Sequence, residues 1–408
     1  MFIRSLGASL ALLVSCAGAA SAQVPDPTPS ASPHITDIGD VWRLVRHKET
    51  DDEPEPGKKF FVIAPSIGSK PSTGLNGGVS SNLAFYAGDP DSTHISSLNG
   101  GVKISQKGQF LTGARLNAFT SGDRWFIQGD NRFQITSQNT YGLGGLTLPG
   151  DVENIKYNTA RAYESVFRNI APHLFVGAGV NFSEHANVRQ GAAEELPFDQ
   201  SALVAYDAKH GFDPDRQSSG GTNIGAFYDS RDNSINAGRG WLASASYRTF
   251  FDGFLGGDST WQELYVDVRT YRKITKDARH RLAFWFLGDA VTGGTAPYLD
   301  LPATAANDGR SARGYAEGRF RGERLLYGEL EYRGSLTPTD LVGFVAFINT
   351  TTVDNSETGE RLFQSFAPAA GFGFRFLLNK RSRTNLCTDY GWGKEGSRGF
   401  YLAIQEAF

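Results

Sequence analysis

The chain has 408 residues, enough for one large domain or two ordinary ones, and its formal net charge is −3. Lysine and arginine are scattered singly, so no basic patch indicates a nucleic-acid partner. The 48 glycines, 29 phenylalanines and 15 tyrosines suit many strands joined by turns, with aromatic rings on an exposed surface. The mean hydropathy of −0.32 is that of a soluble protein. A membrane barrel has a similar average, because only alternate strand residues must be apolar.

The first 22 residues predict a cleavable export signal. Arg4 provides a positive charge, and Leu6 to Val14 form an apolar stretch that is too short to span a bilayer. The segment Ala20 to Ala22 has the small-residue pattern of a cleavage site, so the mature chain should begin at Gln23. An alternative is lipoprotein processing, because the segment Leu13 to Cys16 resembles a lipoprotein cleavage box.

Cysteine usage fits an exported chain that has no disulfide. Cleavage after Ala22 leaves Cys387 as the one cysteine, so no internal disulfide can form. Stability must then come from another source, and closure of a barrel is one way to provide it. No window after the signal reaches about 18 consecutive apolar residues, so no transmembrane helix is expected there.

Residues 23–58 predict a periplasmic leader with a short amphipathic helix and a linker. Asp37 is the expected N-cap, and one helical face holds Ile38, Val41, Trp42 and Val45. The acidic, proline-rich run from Glu49 to Pro56 is the linker. Two interpretations of the helix stay open: a transient amphipathic turn, or a plug or lid at the periplasmic mouth.

From Lys59 to Phe408 the dominant pattern is strict alternation. Apolar residues recur at every second position, while the intervening positions hold several charges per strand, as in the stretch Glu263, Leu264, Tyr265, Val266, Asp267, Val268 and Arg269. A soluble sandwich rarely collects so much charge on one face of so many long strands. A lipid-facing exterior and a polar lumen account for both faces. Residues 59–408 therefore predict an all-β, transmembrane antiparallel β-barrel.

The pattern predicts about 16 strands, a number typical of medium-sized outer-membrane barrels. The expected spans are 59–67, 74–86, 93–106, 109–120, 123–137, 154–169, 172–185, 219–231, 240–251, 261–273, 279–292, 322–335, 340–352, 366–379, 382–391 and 398–408. An even count places both termini on the periplasmic side. Long connections then follow odd-numbered strands, as expected of outer loops in a bacterial outer membrane.

The end of the chain predicts a signal for barrel assembly. The expected last strand places four apolar residues on its lipid face, Phe400, Leu402, Ile404 and Phe408, and the chain stops on an aromatic residue. Such an end resembles the recognition signal of bacterial outer-membrane barrels. The expected partners are therefore outer-membrane lipid and the barrel-assembly machinery during biogenesis.

Three stretches resemble the bacterial surface antigen superfamily, which includes BamA/TamA-like assembly barrels and two-partner secretion transporters. They are residues 228–233 with 238–240, residues 311–315 with 318–322, and residues 389–393. The first contains the family-motif residues Asp229, Arg231, Asp232 and Gly238. The resemblance covers essentially all of residues 59–408 and implies an inward-folded loop between strands 11 and 12.

The resemblance also implies how this loop is held. In the family, the arginine of the loop enters the lumen and is held by acidic residues on neighbouring strands; here the arginine is Arg313, followed by Gly314 and Tyr315. The matching carboxylates are Glu329 and Glu331 on strand 12. Where family members commonly have an aspartate on the next strand, this chain has Asn349, which adds no charge. We call these six residues the loop clasp.

The remaining polar residues do not predict an enzyme. The sequence has no G-x-S-x-G or H-E-x-x-H motif, and its seven histidines lack metal-ligand spacing, so no cofactor or metal is expected. His210 with Asp213 and Asp215 lies in a long outer loop, where ordinary loop polarity explains it. Lumen charge ladders are expected to include Arg375, Arg383 and Asp389, with Cys387 facing the lumen beside them.

The favoured function is insertion or translocation of a polypeptide client, as the resemblance implies, with a seam between the first and last strands. One departure weakens a full assembly role: family members usually have periplasmic POTRA (polypeptide-transport-associated) domains before the barrel. The leader, at about 35 residues, is below the usual minimum for a self-standing domain. The first alternative is a passive pore or structural outer-membrane protein, and a more remote one is an outer-membrane hydrolase.

Overall fold

A computed structural model describes residues 35–45, 59–70, 74–191, 197–276, 279–306 and 310–408. Within these ranges, sixteen strands form a closed antiparallel barrel in which sequence neighbours pair and β1 meets β16. The predicted all-β antiparallel barrel and its strand number are thereby confirmed. The predicted export signal and the acidic linker lie outside the described residues.

Each strand corresponds to one predicted segment, and most ends agree to within a few residues. The strands are β1 Lys59–Lys70, β2 Gly74–Phe85, β3 Ser96–Ser105, β4 Phe110–Phe119, β5 Trp125–Thr140, β6 Glu153–Ala171, β7 Leu174–Gln190, β8 Arg216–Asp229, β9 Gly240–Phe250, β10 Trp261–Lys273, β11 His280–Gly294, β12 Arg324–Ser335, β13 Val342–Asp354, β14 Ala367–Asn379, β15 Thr384–Gly393 and β16 Arg398–Ile404. Two α-helices accompany them, α1 Ile38–Val45 and α2 Ala202–His210.

The distribution of apolar side chains is inverted relative to a soluble protein. Large apolar residues are exposed around the outer face; Phe61 on β1 is 62% exposed and Ile348 on β13 is 60% exposed. Buried positions inside the barrel include charged residues such as Glu331 and Arg333. An exposed apolar belt of this extent needs an apolar surrounding, and the polar interior is that of an outer-membrane barrel.

The two ends of the barrel differ in their connections. We call the end at which β1 begins the near end, and the opposite end the far end. Most near-end turns are short, such as residues 172–173 and 380–383, while the far end holds residues 191–215 and 295–323. This is the asymmetry of short turns and long loops expected of an outer-membrane barrel.

Helix α1 is fixed to the near-end turns. The Asp37 carboxylate accepts from the Asp40 backbone N–H at 2.8 Å, and Asp40 accepts from the Asp37 N–H at 3.1 Å, so Asp37 is the N-cap that the sequence predicts. Lys380, in the β14–β15 turn, donates its backbone N–H to Asp37 and places its ammonium 3.0 Å from Asp40. None of the helices in the described residues is long and apolar enough to cross a membrane.

At the far end, helix α2 and residues 296–301 form a lobe with the tops of strands β6, β7, β9 and β10. Ser201 caps α2 by accepting from the Val204 N–H at 3.2 Å, and Gly211 ends the helix with a positive φ of 79°. Tyr206 donates to the Ala296 carbonyl at 2.9 Å, which ties the helix to the β11–β12 loop. The sequence predicted only an irregular loop over residues 186–218, so this helix was missed.

The last strand is shorter than predicted. β16 ends at Ile404, and Gln405 adopts a positive φ of 73°, which turns the final residues into the lumen. Phe408 is buried and stacks on Trp285, with 5.2 Å between ring centroids. The prediction that Phe408 shares the lipid face with Phe400 and Leu402 is therefore wrong, because the strand ends four residues before the chain does.

Candidate functional site

The β11–β12 loop places Arg313 inside the barrel, where the side chain is 3% exposed. One guanidinium nitrogen, Nη2, hydrogen-bonds both Glu329 and Glu331 on β12. The other, Nη1, donates to Asp389 Oδ2 on β15 at 2.7 Å. The guanidinium carbon also lies 3.7 Å from the centroid of the Phe347 ring on β13. One loop side chain thus joins three strands of the wall.

The carboxylates around Arg313 belong to a larger ionic network on the lumen face. Arg333 donates to Glu331 at 2.5 Å, and Arg375 donates to Asp389 at 2.5 Å. Arg375 also donates to Glu406, beyond the end of β16, at 2.6 Å. Charge-assisted hydrogen bonds in a poorly solvated interior are strong when every partner is present, so the network restrains the segments it connects.

Asn349 and Asp389 divide the role that the family resemblance gave to one acidic residue. Asn349 donates its amide N–H to the Arg313 backbone carbonyl at 3.0 Å and to Glu329 at 3.4 Å, so it holds the main chain of the loop and adds no charge. The third carboxylate on the guanidinium is Asp389, which the sequence placed only in a charge ladder. The alternation of polar and apolar residues on β15 showed that Asp389 faces the lumen, but it did not show that Asp389 contacts Arg313.

Gly314 lets the loop lie directly on the wall. Its φ is +111°, and a Cβ there would lie 2.9 Å from the Ala369 Cβ and 3.2 Å from the Gly393 nitrogen. A larger residue is therefore excluded by both backbone conformation and contact. Tyr401 on β16 accepts from the Gly314 N–H at 3.0 Å and donates to the Tyr315 carbonyl at 3.3 Å.

Tyr315 completes the attachment to the same part of the wall. Its hydroxyl donates to the Pro368 carbonyl at 2.6 Å and accepts from the Lys394 N–H at 3.0 Å. The structure thus brings together all six residues of the predicted loop clasp, with Asp389 as a seventh. The clasp attaches the loop to β12–β16, the part of the barrel that ends at the junction with β1.

The C-terminal tail, residues 405–408, lies against the same network. Arg333 Nη2 donates to the Phe408 carbonyl at 2.8 Å, and its guanidinium lies 5.1 Å from the centroid of the Phe408 ring. Asn385 donates to Glu406 at 2.8 Å, and Arg310 donates to the Glu406 carbonyl at 2.6 Å. The tail is therefore held inside the lumen by a loop residue and by residues of four strands, β11, β12, β14 and β15.

The junction between β1 and β16, which we call the seam, has little backbone pairing. Its register contains one pair in the described residues, Ser69 with Phe400, whereas β1 pairs with β2 along all twelve of its residues. A cavity of about 380 Å³ lies beside the seam. Its lining includes Ser66 of β1, Tyr401 of β16 and Arg132 of β5, so the cavity lies in the lumen and extends to the seam.

The family-motif residues lie at the end of β8 and in the near-end turn 230–239. Arg231 makes a two-pronged contact with Asp229, at 2.9 and 2.7 Å, while Asp232 accepts from the Gly238 N–H at 2.7 Å. Across the barrel end, Ser234 donates to the Ile95 carbonyl at 2.6 Å. The motif residues therefore shape the turn 230–239, which contacts the β2–β3 turn across the near end. They are not part of the loop clasp around Arg313.

Arg383 contradicts its predicted place in a lumen charge ladder. It lies in the β14–β15 turn with its side chain 43% exposed and pairs with Asp232 at 2.9 Å. Hydrogen bonds and charge from Arg383, with two backbone N–H donors, outweigh burial and lower the pKa of Asp232. The lumen prediction was wrong because Arg383, with a positive φ of 58°, lies in the turn before β15 begins.

Two titratable groups outside the strands have shifted pKa values. Burial raises the pKa of Asp207 in α2 to about 7, although Gln217 donates to this carboxyl at 2.5 Å. Partial burial of His94, in the near-end turn before β3, disfavours its charge, yet the hydrogen bond that its ring donates to Asp123 and the charges of nearby carboxylates raise its pKa. Among the residues that the structure describes, no group of three or more potential ligands is placed to hold a metal ion.

The far-end loop that contains His210 forms ion pairs with a neighbouring loop. His210 lies 2.5 Å from Glu357, and Lys209 lies 3.1 Å from the same carboxylate. These contacts join α2 to the β13–β14 loop. The hydrogen bonds and charges of Lys209 and His210 outweigh slight burial and lower the pKa of Glu357.

The chain is similar in fold to two solved outer-membrane barrels. One is BamA from Haemophilus ducreyi lacking POTRA domains 1–3, with a TM-score of 0.56, 12% identity, and coverage of 85% of this chain and 70% of that one. The other is CdiB from Acinetobacter baumannii, with a TM-score of 0.53, 12% identity, and coverage of 85% of this chain and 59% of that one. Neither a protein-family model nor a curated protein sequence matches the chain.

Proposed function

We propose that this protein is a member of the bacterial surface antigen superfamily that inserts or exports polypeptides through the seam between β1 and β16. The observation that supports this most is the seam itself. β16 offers one registered pair to β1, and the four residues after it turn into the lumen instead of extending the ladder. The backbone groups along most of β1 therefore face no partner strand on that side among the described residues.

A strand edge of this kind is a template for another strand. An extended client segment can add to β1 by backbone hydrogen bonds, which need no particular client sequence. Little ladder has to be broken first, because the resident pairing is short. The lumen cavity, which is lined by residues of both β1 and β16, gives such a segment space on the inner side of the edge.

The loop clasp and tail have a defined part in this mechanism. Both attach to β12–β16 on the inside, so they hold one side of the seam rigid while β1 has fewer restraints. With β12–β16 held rigid and the β1 edge free, a client strand can pair with β1 in a fixed register. Conversely, loss of the clasp should release the loop without separating β1 from β2, whose pairing is complete.

The proposed orientation puts the near end and both termini in the periplasm, with lipid around the apolar belt. Helix α1 then lies at the periplasmic end beside the turns 336–341 and 380–383. The barrel-assembly machinery would handle this chain during biogenesis, and the client is a polypeptide. We assign client contact to the seam, where the β1 edge has one registered partner among the described residues.

Cross-linking the seam tests the proposal. The registered pair Ser69 and Phe400 is replaced by two cysteines, since antiparallel partners lie about 4.5–5.5 Å apart at Cα, within disulfide range. Ile127→Cys with Val166→Cys, a registered pair of β5 and β6, is the matched control. The measurement is the outer-membrane content of other barrels and the exported polypeptides of cells that contain only the variant.

Oxidation should reduce insertion or export in the seam variant, and a reductant should restore it. The β5–β6 control should work equally well in both states, because that wall stays closed in the mechanism. Unchanged insertion and export with a fully cross-linked seam would contradict the proposal.

A passive pore is the second candidate, and the polar cavity favours it. The cavity lies inside the wall and is lined by charged residues including Lys103, Arg115 and Arg132. A pore would conduct ions without any client and would continue to do so with a cross-linked seam. Planar-bilayer conductance of the oxidised seam variant therefore separates the two functions.

A further inference from the structure

The outer face of β5 and β6 has a polar pair within its apolar belt. Asn131 donates to Glu164 Oε1 at 2.6 Å. Asn131 alternates with the outward-facing Phe133 and Ile135, which are exposed, and Glu164 alternates with the exposed Val166. Both polar side chains therefore face outward, where the barrel meets lipid.

The pair lies in the middle of this belt rather than at its edge. Glu164 is the registered partner of Gly129, which lies between the outward-facing Trp125 and Ile135. Those two residues are about ten positions apart, so the span between them covers roughly the 25 Å apolar band of a tilted strand. An ionisable side chain at this depth is costly and usually has a function.

Glu164 has no cation partner among the described residues. The other carboxylate on this part of the outer wall, Glu184, lies toward the far end and pairs with Arg216 at 2.7 Å. The Glu164 carboxylate instead lies over Gly129, where a Cβ would be 2.7 Å from its Oε2. The one side chain that donates to it is the neutral Asn131.

Small side chains lie in register with Asn131, while the larger Phe133 and Val180 are the outward-facing neighbours that border the pair. In register with Asn131 are Ala114 on β4 and Ala162 on β6, and the outward positions nearby include Ala160 and Ala178. Small side chains let two membrane-embedded surfaces approach closely, while polar side chains between them supply directed bonds. This wall, β4–β7, has both features at one depth.

We propose that the β4–β7 wall binds a second copy of this chain, with Asn131 and Glu164 of each copy hydrogen-bonded to Glu164 and Asn131 of the other. The patch contains a donor and an acceptor, so it is complementary to its own image across a twofold axis. Two copies in one membrane also present the pair at the same depth. The inference rests on the membrane placement proposed above and is independent of the client.

The test measures self-association in native outer membranes. Ala162→Cys should give a cross-linked dimer with a short bis-maleimide, whereas Ile348→Cys on the opposite wall should not. Cys387 is buried and common to both variants. The double change Asn131→Leu, Glu164→Leu should reduce cross-linking of Ala162→Cys at least tenfold, and Ser81→Leu, elsewhere on the outer face, should not.

Folding is followed by the difference in gel mobility between heated and unheated samples. The leucine double variant should fold at least as well as the parent, because it removes polar groups from lipid. A folded Ala162→Cys protein that gives no dimer, or cross-links to a different chain, would overturn the inference. So would an undiminished dimer in the leucine variant. Absence of the folded protein from the outer-membrane fraction would overturn the placement instead.

Discussion

Opposite sides of the barrel are closed in different ways. Strands β5 and β6 are paired without a break from Trp125–Arg168 to Thr140–Glu153, and beneath them a cluster of rings fills the near-end lumen: Phe119, Phe126, Phe167, Phe175 and Phe227, with Leu242. The seam has one registered pair, and its interior is ionic. Backbone hydrogen bonds close the β5–β6 wall, whereas the seam is flanked by contacts between side chains that are distant in the sequence.

The difference shows which parts of the barrel can change independently. In the β5–β8 wall, the backbone hydrogen bonds and the ring cluster join the same neighbouring strands. Loss of one kind of contact therefore leaves the other kind in place. On the seam side, Arg313 joins a loop to strands that lie up to 76 positions away in sequence. Loss of a single side chain there should affect the loop, the tail and the network together.

The largest effect is expected from Arg313→Ala. The change leaves three carboxylates in the lumen without this cation, and removing one partner of a buried pair costs about 3–5 kcal/mol. The barrel should remain folded, while ion conductance becomes higher and noisier and protease cleavage between Gly293 and Gly322 becomes faster. Arg248→Ala, which breaks a pair between β9 and β10, is the control and should leave loop cleavage unchanged.

Related variants sharpen the same prediction. Arg313→Lys should rescue only in part, because an ammonium lacks the planar fork that contacts several carboxylates. The double change Glu329→Gln, Glu331→Gln should mimic Arg313→Ala and add little to it, while Asp389→Asn alone should have a smaller effect. Parent-like conductance and cleavage in all of these variants would show that the clasp does not hold the loop.

Deletion of Phe408 should have the next largest effect. It removes a ring packed on Trp285, and loss of a buried Phe side chain costs about 3–5 kcal/mol in soluble cores. We expect less folded barrel in the outer membrane at unchanged synthesis. The comparison variant Phe126→Ala removes a ring from the β5–β8 wall. Ion conductance should rise in the Phe408 deletion, which releases the tail, and should not rise in Phe126→Ala. Normal barrel levels after the deletion would contradict the prediction.

A pH effect is expected in the far-end lobe. Because the Asp207 pKa is raised to about 7 from an ordinary value of 3.8, the folded lobe keeps a proton that the unfolded segment releases. The lobe is therefore most stable at acidic pH and loses stability as pH rises from about 4 through 7. The protection of residues 202–210 against hydrogen exchange, corrected for the intrinsic rise of the exchange rate with pH, should fall over this range. This fall should disappear in Asp207→Asn; equal loss of protection in both proteins would contradict the assignment.

The smallest effect is expected at α1. Asp37→Ala removes an N-cap, worth about 1 kcal/mol, and the acceptor of the Lys380 backbone N–H. Hydrogen exchange of residues 38–45 should become faster, while the barrel and the seam should be unaffected. Asp91→Ala, an exposed acidic residue in the β2–β3 turn, is the matched control. Exchange as slow as in the parent would show that the capping contacts do not stabilise the helix.

Strands were predictable from sequence because alternation is a local signal. Each strand shows its own face pattern, so sixteen spans followed without knowledge of any partner. Helix α2 was missed because its apolar residues lack a strong stripe, although Ser201 before it and Gly211 after it are ordinary helix-end signals. The assignment of residues 186–218 to a loop overlooked those two residues.

The site was predictable only in part, for a different reason. The clasp residues on the loop and β12 were named from the family resemblance. Asp389 was not, because the alternation of polar and apolar residues shows which face a side chain lies on and does not show that it contacts Arg313. The inward tail had no local signal: Gln405 is not a residue type that favours a positive φ. Only the surrounding contacts of Glu406 and Phe408 account for the turn.

The inward tail connects strands that do not pair with each other. After β16, Gln405 turns the chain into the lumen, the Phe408 ring lies on Trp285 of β11, and Arg333 of β12 donates to the Phe408 main-chain oxygen. Strand β11 lies five positions from β16 in the order of the barrel. A barrel that lost the tail contacts would keep every backbone pair, yet its last strand would lose its attachment to the opposite part of the interior.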